Sequence, residues 1–277
     1  MRHTSLTAAW WWLPGGILLW AAAWLTTILT HHLPRGPADA LWYTTAVVLV
    51  CPAVAVLGAR RPAARVWAWF VLLPLVLVLE LPVAGLWFGG SGPLEIDIPA
   101  LAGFLLVAVM GFGNYVGTRR TTAAILLLGA LGLLVLPLSV LVAFSERGVI
   151  LARIVATILS VTAVWIAFGR SQIRSPKSLL AGGPDSLDAL WLDFRNTFGI
   201  VWAQRIRERI NATAAKENWP VRLGRTGFVS AAERTETAID PATRARVEQT
   251  LHWLLRRFVD PEWINRRLKE TDSIGKT

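Results

Sequence analysis

Three side chains sit in surroundings that do not suit them. Glu80, Arg153 and Asn114 are strongly polar residues inside long apolar runs. An ionised carboxylate in such a run costs several kcal/mol unless it is paired, neutralised or hydrated. Glu80 lies between Pro74 and Pro82, about fourteen residues into its run, or roughly 21 Å at helical rise. The chemistry open to it there is the relay of a proton or cation, or a contact with a polar substrate. The structural alternative is an ion pair with Arg153. Counted from the other end of the run, Glu80 is about eight residues deep and Arg153 about five, so their depths differ by roughly 5 Å, within an arginine's reach. Asn114, among the glycines of its run, fits an interhelical hydrogen bond.

Other chemistry finds fewer parts. His31 and His32 could meet a metal with Asp39, but adjacent histidines on a helix diverge and no second cluster accompanies them. Cys51 is the single cysteine, which excludes an intrachain disulfide and thiolate metal sites. Gly89-Gly90-Ser91-Gly92 resembles the GxSG of rhomboid proteases, which also have six spans with both ends inside. That resemblance would make Ser91 a nucleophile. A serine needs a base, however, and no histidine occurs between His32 and His252, so the string reads as a flexible outer loop. Axial histidines for haem are missing from the runs, Gly111-x-Gly113-x-x-x-Gly117 is not a dinucleotide fingerprint, and there is no Walker A string. No catalytic residue, metal site or cofactor is assigned, and the balance leans away from an enzyme.

The elements that must position these groups follow from composition. The chain has 277 residues, 54% hydrophobic and 17% charged, with mean hydropathy +0.50, the profile of a multi-pass membrane protein. The spacing predicts six membrane helices at about 10–30, 41–59, 66–88, 98–118, 121–144 and 148–169. Arginines gather at alternate ends: Arg2, then Arg60, Arg61 and Arg65, then Arg119 and Arg120, then Arg170 and Arg174. By the positive-inside rule both termini lie in the cytoplasm and the bundle sits in the inner membrane. Trp10 to Trp12, Trp42 with Tyr43, Trp67 and Trp69 lie near span ends, where headgroup anchoring is expected. The glycines of spans four and five predict a tight hairpin between them.

Residues 170–277 hold 19 basic groups against 13 acids and read as a separate polar piece. A linker, 170–185, precedes a helical domain, 186–268, and a disordered tail, 269–277. Asp185 or Ser186 caps a long helix, interrupted by Gly199, whose Leu187, Trp191, Phe194, Phe198, Trp202, Ile206 and Ile210 form an apolar stripe. A short strand or extended loop fits 221–229, and Asp240-Pro241 and Asp260-Pro261 each open a further helix. Arg205 and Arg209 share a helix face suited to anionic headgroups or to solvent, while the acids nearby argue against nucleic acid. The sequon at Asn211 falls on the cytoplasmic side.

The expected architecture is all-α, a six-helix transmembrane bundle followed by a small, mostly helical cytoplasmic domain. The leading functional expectation is a membrane-anchored interaction or scaffold protein. Its partners are the lipid bilayer and a protein, or a second copy, meeting Trp191, Phe194, Phe198 and Trp202. The rival is a small-solute or proton-coupled transporter centred on Glu80.

Overall fold

A computed structural model describes residues 4–29, 35–90, 92–169, 186–230 and 241–274. These are predominantly helical, with one two-stranded hairpin, and divide into two compact units.

The apolar unit comprises Leu6–Gly58 and the chain from Pro62 through the seventh helix. It begins with α1 (Thr7–Leu29) and α2 (Arg35–Leu57). A short α3 (Ala63–Trp67) passes through a π-helical stretch (Ala68–Leu72) into α4 (Leu73–Trp87). Then come α5 (Ile98–Gly113), α6 (Thr121–Val135) with a closing 3-10 turn at Leu136–Leu138, and α7 (Glu146–Gly169). Among the described residues, α1, α2, α7 and α6 with its closing turn are long and apolar enough to cross a membrane. The π-stretch with α4 makes a fifth if its two halves, bent by 65° between Leu79 and Leu81, count as one span.

The expectation of six uniform spans is therefore met only in part, and the shortfalls have local causes. α5 has 16 residues, about 24 Å at helical rise against a hydrocarbon thickness of about 30 Å. It stops at Gly113 instead of 118 because the chain turns through Asn114 to Gly117, whose φ of +78° suits glycine. Pro137 brings no N–H to continue α6, so the helix tightens and ends. The chain then runs alongside Ile96, whose N–H donates to Leu138 O (2.8 Å) and whose carbonyl accepts from Val140 N–H (3.2 Å).

α2 is the hub of this unit, with α1, α4, α5 and α6 all packed on it. Trp42, Tyr43, Ala46 and Val47 of α2 are fully buried. Trp42 and Tyr43 are thus core residues instead of headgroup anchors. Trp20 and Trp24 of α1 meet the Trp42 ring edge-on, with centroids 6.1 and 5.3 Å away. Gly111 brings α5 against α2, where an added Cβ would lie 3.0 Å from Ala53 Cβ. α5 packs on α6 as expected but more extensively on α2, where Gly111 makes the close approach, and the principal partner of α6 is α7. Large side chains on the outer faces, among them Trp11, Leu18, Phe70, Leu81, Trp165 and Phe168, are exposed. An apolar surface of that extent marks a protein embedded in a membrane.

The polar unit contains α8 (Ser186–Lys216), β1 (Val221–Leu223), β2 (Phe228–Ser230), α9 (Pro241–Leu255) and α10 (Pro261–Ile274), joined by Thr4, Ser5 and Ala59–Arg61. α8 is broken at Gly199, which adopts φ 81° and ψ −178°, a conformation open essentially to glycine alone. Asn218, at φ 53°, turns the chain away after α8. The antiparallel strands pair Val221 with Ser230 and Leu223 with Phe228. Asn211 clamps β1 to α8: its Oδ1 accepts from Leu223 N–H (2.7 Å) and its Nδ2 donates to Leu223 O (3.1 Å). Asp188 holds β2 in the same way, accepting from Phe228 N–H at 2.7 Å.

The aromatic stripe of α8 forms the core of this unit. Trp191, Phe194 and Phe198 are at most 1% exposed and Trp202 is 6% exposed. Phe258 wedges edge-on against Phe194, Phe198 and Trp202 at 5.3, 5.4 and 4.9 Å. The residues expected to meet a partner are spent on the unit's own packing, because α10, α9 and the turn between them pack on α8. Helix α10 continues to Ile274, so most of the tail expected to be disordered from 269 is helical; residues 275–277 and the linker, 170–185, lie outside the described residues.

Candidate functional site

Two places bring chemistry together. The first lies in the apolar unit, on the first turns of α2. Asp39 Oδ1 accepts from Arg153 Nη2 of α7 at 2.5 Å, and both side chains are largely buried. The guanidinium carbon also sits 5.1 Å from the centroid of the Trp42 ring. The Arg153 carbonyl accepts from Thr157 Oγ1 (2.9 Å), whose oxygen in turn accepts from Trp24 Nε1 (3.0 Å). The Arg153 guanidinium is thus held by α2, while α1 reaches the same stretch of α7 through Trp24 and Thr157, and the expected Glu80–Arg153 pair is not formed.

Glu80 instead turns to Thr44, whose Oγ1 donates to Glu80 Oε2 at 2.8 Å. The neighbouring Tyr43 hydroxyl donates to Leu79 O at 2.7 Å. Both contacts fall at the 65° bend, where Pro82 brings no N–H to the helix ladder. Tyr43 therefore holds a carbonyl at the bend, and Thr44 holds one oxygen of the carboxylate. The other oxygen, Oε1, is buried and finds no hydrogen-bond partner of normal geometry among the described residues, although the Trp87 indole also lies against the carboxyl. Asn114 is buried at the end of α5. His31, His32 and Ser91 lie outside the described residues.

The second place is a half-open groove of about 900 Å3 in the polar unit, between α8 and α9. Arg60, Arg205, Arg209 and Arg257 line it, with Glu208 as the one carboxylate among its described lining. Arg205 stacks over Trp202 at 4.9 Å, and Arg257 over Trp253 at 5.0 Å. Trp253 is 48% exposed, unlike the rest of the aromatic core. Along the same α8, Arg195 donates to Arg225 O at 2.8 Å, and burial together with the Arg225 and Arg207 charges pulls its guanidinium below the usual arginine range. The unit has more positive charge than its own acids balance.

Sequence reasoning found Glu80 and Arg153 but missed Thr44 and Asp39 as their partners, and Tyr43 as the donor to the Leu79 carbonyl. The missing signal is where α2 begins: it starts at Arg35, before the apolar run, which places Asp39 within the helix. Trp253 was also missed. It falls off the Val247, Leu251, Leu254, Leu255 face of α9, and Arg256 and Arg257 follow at the i+3 and i+4 positions. Comparison with protein-family models, curated proteins and solved structures finds no match to this chain.

Proposed function

We propose that the chain is a membrane-anchored binding protein. Six apolar segments enter or cross the inner membrane, both termini face the cytoplasm, and the polar unit presents the α8–α9 groove to an anionic partner. The observation that carries this reading is the groove itself, with four arginines against one glutamate beside a half-exposed tryptophan. The orientation rests on the arginines at alternate span ends. With the α8 stripe buried, the face open to a partner is the one bearing Arg205, Arg209 and Trp253. A protein partner or a second copy would meet it through acidic side chains. In the test, the full chain in mild detergent is titrated with polyglutamate. Arg205→Gln with Arg209→Gln, both exposed, should weaken binding several-fold at low salt and much less at high salt. No binding by the unaltered protein would refute the reading.

A second reading, a proton-coupled or small-cation carrier, is favoured by the broken helix at Glu80 and by its buried Oε1, which has no hydrogen bond of normal geometry among the described residues. Ion sites at interrupted membrane helices follow from the polar groups such breaks release. In vesicles holding a pH-sensitive dye, the protein should speed decay of an imposed pH gradient, and Glu80→Gln should abolish the effect with the fold intact. Equal decay with and without the substitution would remove this reading.

A further inference from the structure

The groove's position along the chain narrows its ligand. Arg60 lines it, and Arg60 follows Leu57, the last residue of α2, by three positions. A fully extended chain covers about 11 Å in that distance. The Arg60 edge of the groove is therefore tied to the end of a helix that is long and apolar enough to cross a membrane. Arg60 is fixed there by its neighbour: Arg61 N–H donates to Arg257 O at 2.8 Å, and the Arg61 guanidinium pairs with Asp260 at 2.5 Å.

From this geometry we infer that the α8–α9 groove binds the phosphate of an anionic phospholipid headgroup. The inference rests on the binding-protein reading above and names the ligand class. Charge complementarity selects an anion, since Arg60, Arg205, Arg209 and Arg257 outnumber Glu208, whose carboxylate already accepts from Gln204 at 2.6 Å. Trp253 supplies the flat amphipathic ring that settles at the glycerol and headgroup boundary, with Arg257 and Arg256 stacked on it at 5.0 and 5.9 Å. Tethering favours lipid over a soluble acidic peptide, because the bilayer presents its phosphates at a high effective concentration beside the groove.

The test uses the full chain released from vesicles of mixed phosphatidylglycerol and phosphatidylcholine into mild detergent, with retained lipid read by native mass spectrometry. The unaltered protein should keep phosphatidylglycerol in preference to phosphatidylcholine. The triple variant Arg60→Gln, Arg205→Gln, Arg209→Gln should keep about tenfold less or below, because each cation near a membrane surface contributes measurably to anionic-lipid binding. All three positions are exposed, so circular dichroism should be unchanged. Trp253→Ala, with every arginine present, should lower retention of both lipids and keep the phosphatidylglycerol preference. Equal retention by unaltered and triple-variant protein overturns the inference. Binding of polyglutamate without preferential phosphatidylglycerol retention overturns the lipid assignment and leaves the binding-protein reading standing, whereas loss of both sinks the two together.

Discussion

The Asp39–Arg153 contact offers the sharpest perturbation, because sequence reasoning gave Arg153 a different partner. The two side chains are 17% and 10% exposed, so removing either one breaks a largely buried ion pair. Such losses cost about 3–5 kcal/mol, and the residual exposure places this one near the lower end. Arg153→Met also loses the stacking on Trp42, about 0.5–1 kcal/mol more. Asp39→Asn keeps the shape and some hydrogen bonding, so about 2–3 kcal/mol is expected. The double variant leaves no stranded charge and should be no worse than Arg153→Met alone. That implies a coupling of about 2 kcal/mol, or roughly thirtyfold in the unfolding equilibrium. The assay is equilibrium unfolding of the full chain by SDS titration in mixed micelles, followed by circular dichroism. Arg153→Met combined with Glu80→Gln should instead be additive within about 0.5 kcal/mol, as expected of residues that share no contact. Additivity at 39 and 153, or an equal coupling at 80 and 153, would refute the pairing.

Further outcomes follow from the packing. Phe198→Ala should destabilise the polar unit by about 3–5 kcal/mol, seen as faster proteolysis within residues 186–268 of the full chain; a variant as resistant as the parent would mean the stripe is not core. Gly227→Ala would put a Cβ 2.4 Å from Asp188 Cγ, displacing the carboxylate from Phe228 N–H at a cost of about 2–3 kcal/mol. The same change should cost much less in an Asp188→Ala background, and an undiminished cost there would disprove the clash. Tyr43→Phe removes the hydroxyl that holds Leu79 O and should cost about 1–3 kcal/mol in the same SDS titration. A change below about 0.5 kcal/mol would show that the carbonyl finds another donor.

By itself the sequence determined which segments are apolar, that the C-terminal piece is polar, and where its helices start. These follow from local properties: long apolar runs, prolines at positions 241 and 261, and the period of the α8 stripe. It also exposed Glu80 and Arg153 as anomalies, since a charge in an apolar run is conspicuous without any neighbour in view. Tertiary structure alone decided the partners. Depth along a span predicts which residues are level but not which helices face each other, and α2 at the hub gave Arg153 to Asp39 and Glu80 to Thr44. The fate of the stripe was equally nonlocal. An apolar helix face demands burial without naming what buries it, and Phe258 and α9 cover it within the chain. What remains outside, Trp253 among arginines, was hidden in the sequence because its exposure depends on which face α9 turns inward.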